Sequence, residues 1–259
     1  MDGPEGIPAA AILLCSKCEF HSPEAKKFCP RCGFPFASVF KQPVSTLQSL
    51  EPAIKTCAIL FGINLLFLAL KVTPKSNHLP IEIAIEAVFA AVILHAVYPL
   101  RSRIFFLTSR FCNQAYPAWK MVSLSLLTAV GLCLYFVALD LLGLRTIDYL
   151  EADDIGTLKV AWVFISTCLL APVLEEIFFR GYLFRKIRLV LKPKEAIILQ
   201  GLVFGVIHLS PAAYISHSTM GILFGYLRYR TNSLLPGILC HALWNLSVVG
   251  IQYWELTAA

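Results

Sequence analysis

The alternation of apolar and polar stretches divides the chain near residue 53. Beyond that point apolar runs recur seven times, near 54–71, 81–99, 119–142, 158–179, 195–209, 213–227 and 234–254, with polar or proline-containing connections between them. A helix needs about 20 apolar residues to cross a bilayer core. The fifth and sixth runs are shorter than this, and His208-Leu209-Ser210-Pro211 between them fits a tight turn. Before residue 53 the pattern changes: residues 37–53 carry Pro43 and Pro52 among Ser, Thr and Gln, which reads as a linker, and residues 1–36 stand apart as a small segment. The predicted fold class is all-α, a polytopic transmembrane helical bundle of about seven spans over residues 54–259 behind a small amino-terminal domain.

Composition supports lipid as the solvent. Hydrophobic residues make up 58% of the chain and mean hydropathy is +0.71, above the range of soluble domains. Membrane lipid is therefore an expected partner. Charged residues are only 15%, yet the net charge is +6. No basic stripe is interleaved with aromatics, so nucleic acid is not expected, and the excess is assigned to cytosolic connections. With the amino terminus inside, cytosolic segments hold 18 of the 22 Lys and Arg, while the outer side keeps Lys71, Lys75, Arg145 and Lys159. The expected localisation is an integral, multi-pass membrane protein with its amino-terminal domain in the cytosol. No signal peptide is expected, because a positive n-region is lacking and Leu14 is too large for a processing site.

Nine cysteines fall into two groups. Cys57, Cys112, Cys133, Cys168 and Cys240 are scattered through apolar sequence and read as small core hydrophobes. Cys15, Cys18, Cys29 and Cys32 form two CxxC pairs, and each pair can present two thiolates to a tetrahedral site. Residues 1–36 are thus expected to be a four-cysteine zinc ribbon whose structural zinc supplies the folding energy that so short a segment cannot obtain from burial. A reduced, zinc-bound state agrees with a cytosolic location. The ribbon is expected to be structural or to bind a cytosolic protein partner.

The chemistry lies in the later spans. Glu175 and Glu176, then Arg180, follow directly on the uncharged run Val160–Leu174, and ionisable groups there are functional candidates. Glu176 and Arg180 are four apart, acid first, the favourable order for a helical ion pair. Glu175 points about 100° away and is left to act elsewhere. The competing reading ends the helix before Pro172 and leaves the acids on an interfacial rim. Phe204 with His208, and His241 with Asn245, each place two groups four apart on one helical face. One wet cavity shared by these groups satisfies all of them. His95 and His217 read instead as packed or hydrogen-bonded histidines. Gly201 with Gly205, and Gly221 with Gly225, read as close-packing positions. Glu82 and Glu86 read as acids tolerated at a helix N-terminus.

In such a cavity Glu175 can act as general base on a water, with His208 sharing that task, while His241 and Asn245 donate to a developing oxyanion. These residues, in this order on separate spans, resemble the motifs of the CPBP family, which includes CAAX prenyl endopeptidases and bacteriocin-processing or immunity-type proteins. The resemblance covers roughly residues 120–250. It implies an intramembrane, multi-helix protease with a site open to the cytosol, acting on a membrane-associated peptide or protein substrate, with a prenylated CAAX tail as one family substrate. It also implies that Glu175 and His208 activate water, that His241 and Asn245 stabilise the transition state, and that Glu176 and Arg180 fill the remaining motif positions. A catalytic divalent metal held by Glu175, His208 and His241 is compatible with the same residues, as is a metal-free mechanism. The alternatives are a non-catalytic scaffold or immunity-type protein recruiting partners through its ribbon, and an ion or proton carrier.

Depth sets a condition on the site. At 1.5 Å per residue, Glu175 lies about 7 Å and His241 about 10 Å from the cytosolic ends of their predicted spans, but His208 about 18 Å. A tilted fifth span, or one starting near Pro193, is needed to bring them level.

Overall fold

The computed structural model of the chain describes residues 13–15, 21–22, 46–69, 79–102, 104, 117–143, 156–211 and 213–258. The chain divides into two units, Met1–Ser49 and Leu50–Ala259. In the first, strands β1 (Leu13–Leu14) and β2 (His21–Ser22) pair antiparallel, with Leu13 opposite Ser22 and Leu14 opposite His21. Cys15 is buried directly after β1. Cys18, Cys29 and Cys32, and with them the zinc site, lie outside the described residues.

Seven helices correspond one to one with the seven predicted spans. They are α1 (Thr46–Ala69), α2 (Leu79–Val97, followed by a 3-10 turn at Tyr98–Leu100), α3 (Ala118–Leu141), α4 (Thr157–Ile187), α5 (Pro193–Ile207), α6 (Tyr214–Thr231) and α7 (Leu235–Ala258). Among the described residues, four helical stretches are long and apolar enough to cross a membrane: Leu79–Leu100, Ala118–Leu141, Thr157–Ile187 and Leu235–Ala258. Their outer faces carry large apolar side chains, among them Leu127, Leu134 and Leu141 on α3 and Trp254 on α7. So continuous an apolar surface is a liability in water and the normal state in lipid. The molecule is an all-α membrane bundle.

Local signals fix the helix ends. Pro193 opens α5 at the first helical position, where its missing N–H has no partner to lose, and Glu195 accepts the Lys192 N–H at 2.9 Å. At the end of α6, Asn232 turns left-handed (φ 55°) and its Oδ1 accepts from Arg228 Nη1 at 3.0 Å.

The inner helices α5 and α6 run antiparallel and touch backbone to backbone. A Cβ on Gly201 would stand 2.6 Å from Ile222 Cγ1 and 2.7 Å from Ile222 N, and one on Gly221 would stand 2.8 Å from Gly201 Cα. Only hydrogen fits at this crossing, as the glycine spacing predicts. Gln200, fully buried, donates from Nε2 to the Gly221 carbonyl at 2.6 Å and to the Ile197 carbonyl at 2.9 Å. Against this pair packs an aromatic core of Phe178, Phe179 and Tyr182 from α4 with Phe204 from α5. Asn64 of α1 donates to the Ile207 carbonyl at 3.0 Å, covering one of the open acceptors at the end of α5.

Helix α4 does not end before Pro172. A proline inside a helix removes one backbone donor and crowds the preceding turn. Here the backbone widens into π turns at Ser166–Leu170, just ahead of the proline, and again at Ile177–Leu183. The two acids stand on the six α-helical residues between them, Ala171–Glu176. The interfacial-rim reading is thereby removed, because α4 continues to Ile187 instead of stopping near 179. The extension brings two of the three groups level, while His241 stays about 9 Å from the start of α7 at Leu235. Glu175 is now about 18 Å and His208 about 22 Å from the basic ends of their helices, since α5 starts at Pro193.

Several minor expectations change. His95 is exposed on α2 and not packed. Glu82 is engaged by Lys159 of α4 in a largely buried ion pair and is not simply a tolerated terminal acid. Of the scattered cysteines, Cys168 is buried, Cys57 and Cys240 half-buried and Cys133 exposed, while Cys112 lies outside the described residues.

Candidate active site

Three helices bring the polar residues together. Glu175 Oε2 of α4 lies 4.0 Å from His208 Nε2, at the end of α5, and 3.8 Å from His241 Nε2 of α7. His241 Nδ1 faces the other acid, 3.6 Å from Glu176 Oε1. These separations exceed a direct hydrogen bond and are short enough for a water to bridge. Glu175 and His208 keep partial access, with side chains 18% and 24% exposed, whereas Glu176 and Arg180 are closed off at 1% and 0%.

Glu176 and Arg180 form the expected pair, with Nη1 to Oε1 at 2.8 Å. The contact is not aligned as a hydrogen bond, for both atoms lack a well-directed partner, so it acts through charge. Arg180 Nη2 donates to the Gly221 carbonyl at 3.3 Å, and the guanidinium lies 4.5 Å from the ring centre of Phe204 and 5.3 Å from that of Phe224. A buried guanidinium held by a carboxylate, a carbonyl and aromatic faces is a fixed part of the scaffold.

Hydrogen bonding assigns the tautomer of His208. Its Nδ1 lies 2.6 Å from the Phe204 carbonyl, which can only accept. Nδ1 therefore carries the proton, and in the neutral ring Nε2 presents its lone pair towards Glu175. The spacing of Phe204 and His208 thus has a direct meaning, because the carbonyl four residues back orients the imidazole. The Phe204 ring adds a second constraint, sitting edge-on to His208 with centroids 4.6 Å apart and 5.9 Å from His241.

Asn245 occupies a place that the sequence did not predict. The Ala171 N–H bonds five residues back to the Ser166 carbonyl, and residue 172, being proline, has no N–H. The Thr167 carbonyl is thereby deprived of both of its helical donors. Asn245 Nδ2 donates to it at 2.8 Å. An asparagine amide has two N–H bonds, so the second remains for another acceptor.

Two further residues belong here that sequence reasoning passed over. His217, read as a packed histidine, does bond its Nδ1 to the Ala213 carbonyl at 2.8 Å, but its ring also lies against His208, centroids 4.1 Å apart. Gly237 lies one helical turn before His241, and a Cβ there would come within 2.6 Å of Glu176 Oε2. The signal for Gly237 was its i, i+4 relation to His241; nothing in the local pattern around His217 indicated the fold-back of α6 onto α5.

Among the described residues, no group of three or more His, Cys, Asp or Glu is arranged to hold a metal ion. Glu175, His208 and His241 do not form such a group as they stand.

A family model described as Type II CAAX prenyl endopeptidase Rce1-like matches residues 157–247. This stretch contains Glu175, Glu176, Arg180, His208, His241 and Asn245. No curated protein and no solved structure matches the chain.

Proposed function

We propose that the protein is a CAAX-type intramembrane endopeptidase, hydrolysing a peptide bond of a membrane-associated substrate at a site opening to the cytosol. The observation that carries this reading is the convergence of Glu175 Oε2 with His208 Nε2 and His241 Nε2 at 4.0 and 3.8 Å. Coming from three helices, these groups surround a point where one water can be held.

In this mechanism a water bound between Glu175 and His208 gives a proton to Glu175 as its oxygen attacks the scissile carbonyl carbon. The carbonyl π electrons move to oxygen, and the oxyanion takes hydrogen bonds from His241 and from the second N–H of Asn245. Collapse of the tetrahedral species breaks the C–N bond, and Glu175 returns the proton to the leaving amine. Glu176 and Arg180 take no proton; they hold the helix turn that aims Glu175. The basic ends of α3 and α5 face the cytosol in this reading, in keeping with the distribution of Lys and Arg. The zinc ribbon stays a proposed structural module for a cytosolic partner.

The test is cleavage of a prenylated CAAX peptide by the protein in proteoliposomes. Glu175→Gln and His208→Ala should each lower turnover by at least about 10²-fold while the thermal transition stays near wild type. Undiminished cleavage in either variant overturns the assignment.

A further inference from the structure

Away from the polar cluster, α3, α5 and α6 enclose an open groove of about 870 Å³. Ile197, Leu124 and Leu223 give it apolar walls. Lys120 and Lys194, in the first turns of α3 and α5, stand at one end, and Trp119 borders the same end with the Lys120 ammonium 5.4 Å from its ring centre. The groove contains no acidic residue, and among the described residues neither lysine is paired with a carboxylate.

Length and charge together define the occupant. Along α3 the groove runs from Trp119 to Thr128, about 14 Å at 1.5 Å per residue, which is close to half of a bilayer core of about 30 Å. A cavity of single-leaflet depth, apolar along its length and doubly cationic where it meets the interface, matches an amphiphile with one anionic head and an acyl chain. Basic pockets between helices at a membrane surface recognise anionic headgroups in this way. We infer that this groove is a binding site for an anionic glycerophospholipid of the surrounding membrane, with the phosphate held by Lys120 and Lys194 and an acyl chain lying between α3 and α6. The site is independent of the peptidase assignment, since none of Glu175, His208 or His241 lines it.

The experiment places the full-length protein in nanodiscs containing equal mole fractions of phosphatidylglycerol or phosphatidylcholine brominated on the acyl chain. Tryptophan quenching is measured, and the Trp119→Phe variant isolates the share of Trp119. Brominated phosphatidylglycerol should occupy the groove about fivefold more strongly per lysine than phosphatidylcholine. The preference should vanish in Lys120→Gln/Lys194→Gln and survive in Lys120→Arg/Lys194→Arg, with circular dichroism confirming that both variants are folded. Equal quenching of Trp119 by the two lipids in the wild type would make the groove an ordinary boundary position and overturn the inference. A preference that persists in the glutamine pair, or protection of Trp119 from both lipids because protein fills the groove, overturns it as well.

Discussion

Helix α4 carries two buried ion pairs, and they are built differently. Lys159, in its first turn, reaches across to Glu82 in the first turn of α2, so the pair joins two helices that start on the same side of the bundle. Glu176 and Arg180 are four apart on α4 itself, and the guanidinium is steadied by the Gly221 carbonyl and the rings of Phe204 and Phe224. The decisive difference lies next to them. Beside Glu176 stands a second carboxylate, Glu175, for which Arg180 provides no ion pair and which faces two imidazoles instead. Paired charges in an apolar interior hold structure; the surplus charge at the same place is free to do chemistry.

The largest effect expected from this contrast separates the two neighbouring acids. Glu175→Gln should reduce peptide cleavage by about 10²–10⁴-fold with little change in unfolding temperature. Glu176→Gln should instead destabilise the folded protein by about 3–5 kcal/mol, because Arg180 is left buried without its counter-charge. Thermal unfolding in detergent beside a cleavage assay distinguishes them, and equal behaviour of the two variants would erase the division of roles.

The α2–α4 pair sharpens the same contrast. Lys159→Met alone should destabilise by about 3 kcal/mol, whereas Lys159→Met with Glu82→Met should recover most of that loss, since two apolar groups replace two buried charges. No such recovery is expected for Glu176→Met with Arg180→Met, measured as cleavage, because Glu175 would lose the turn that aims it. Gly237→Ala comes next. Its methyl group would press on Glu176 Oε2 and should cost about 1–3 kcal/mol, with a fall in turnover greater than Gly250→Ala, where a Cβ meets open space. The smallest effect is expected for Asn245→Leu read as stability alone. It leaves the Thr167 carbonyl without a donor, about 1–3 kcal/mol at most, and Asn245→Gln should not restore the loss because its amide sits one methylene further out.

Much of this could be seen in the sequence, and the gaps have physical causes. Helix existence followed from hydrophobic runs, and each of the seven runs became a helix. Where α4 ends did not follow. The predicted span stopped near residue 179, with a stop before Pro172 as the competing reading, whereas the helix runs to Ile187 because its backbone widens around the proline. The residues near the site were legible where they repeat at four-residue spacing: Glu176 with Arg180, Phe204 with His208, His241 with Asn245. The partner of the Asn245 amide was not legible, since it is a carbonyl freed by a π turn, and no side-chain pattern records that. His217 was hidden for a similar reason. Its nearness to His208 comes from the antiparallel return of α6 along α5, which the glycines at 201 and 221 permit but do not announce.

The gap at Thr167 has a consequence for how the molecule is made. Helix α4 enters the membrane with a carbonyl that its own backbone cannot serve, and the donor that completes it arrives only with α7, 78 positions later. That same late helix delivers His241. Until it docks, a nascent chain holds two carboxylates and an arginine on α4 without the imidazole that faces the acids and the amide that serves Thr167 in the folded protein. On the proposed mechanism, the site is complete only once α7 has inserted and brought His241 and Asn245 to α4.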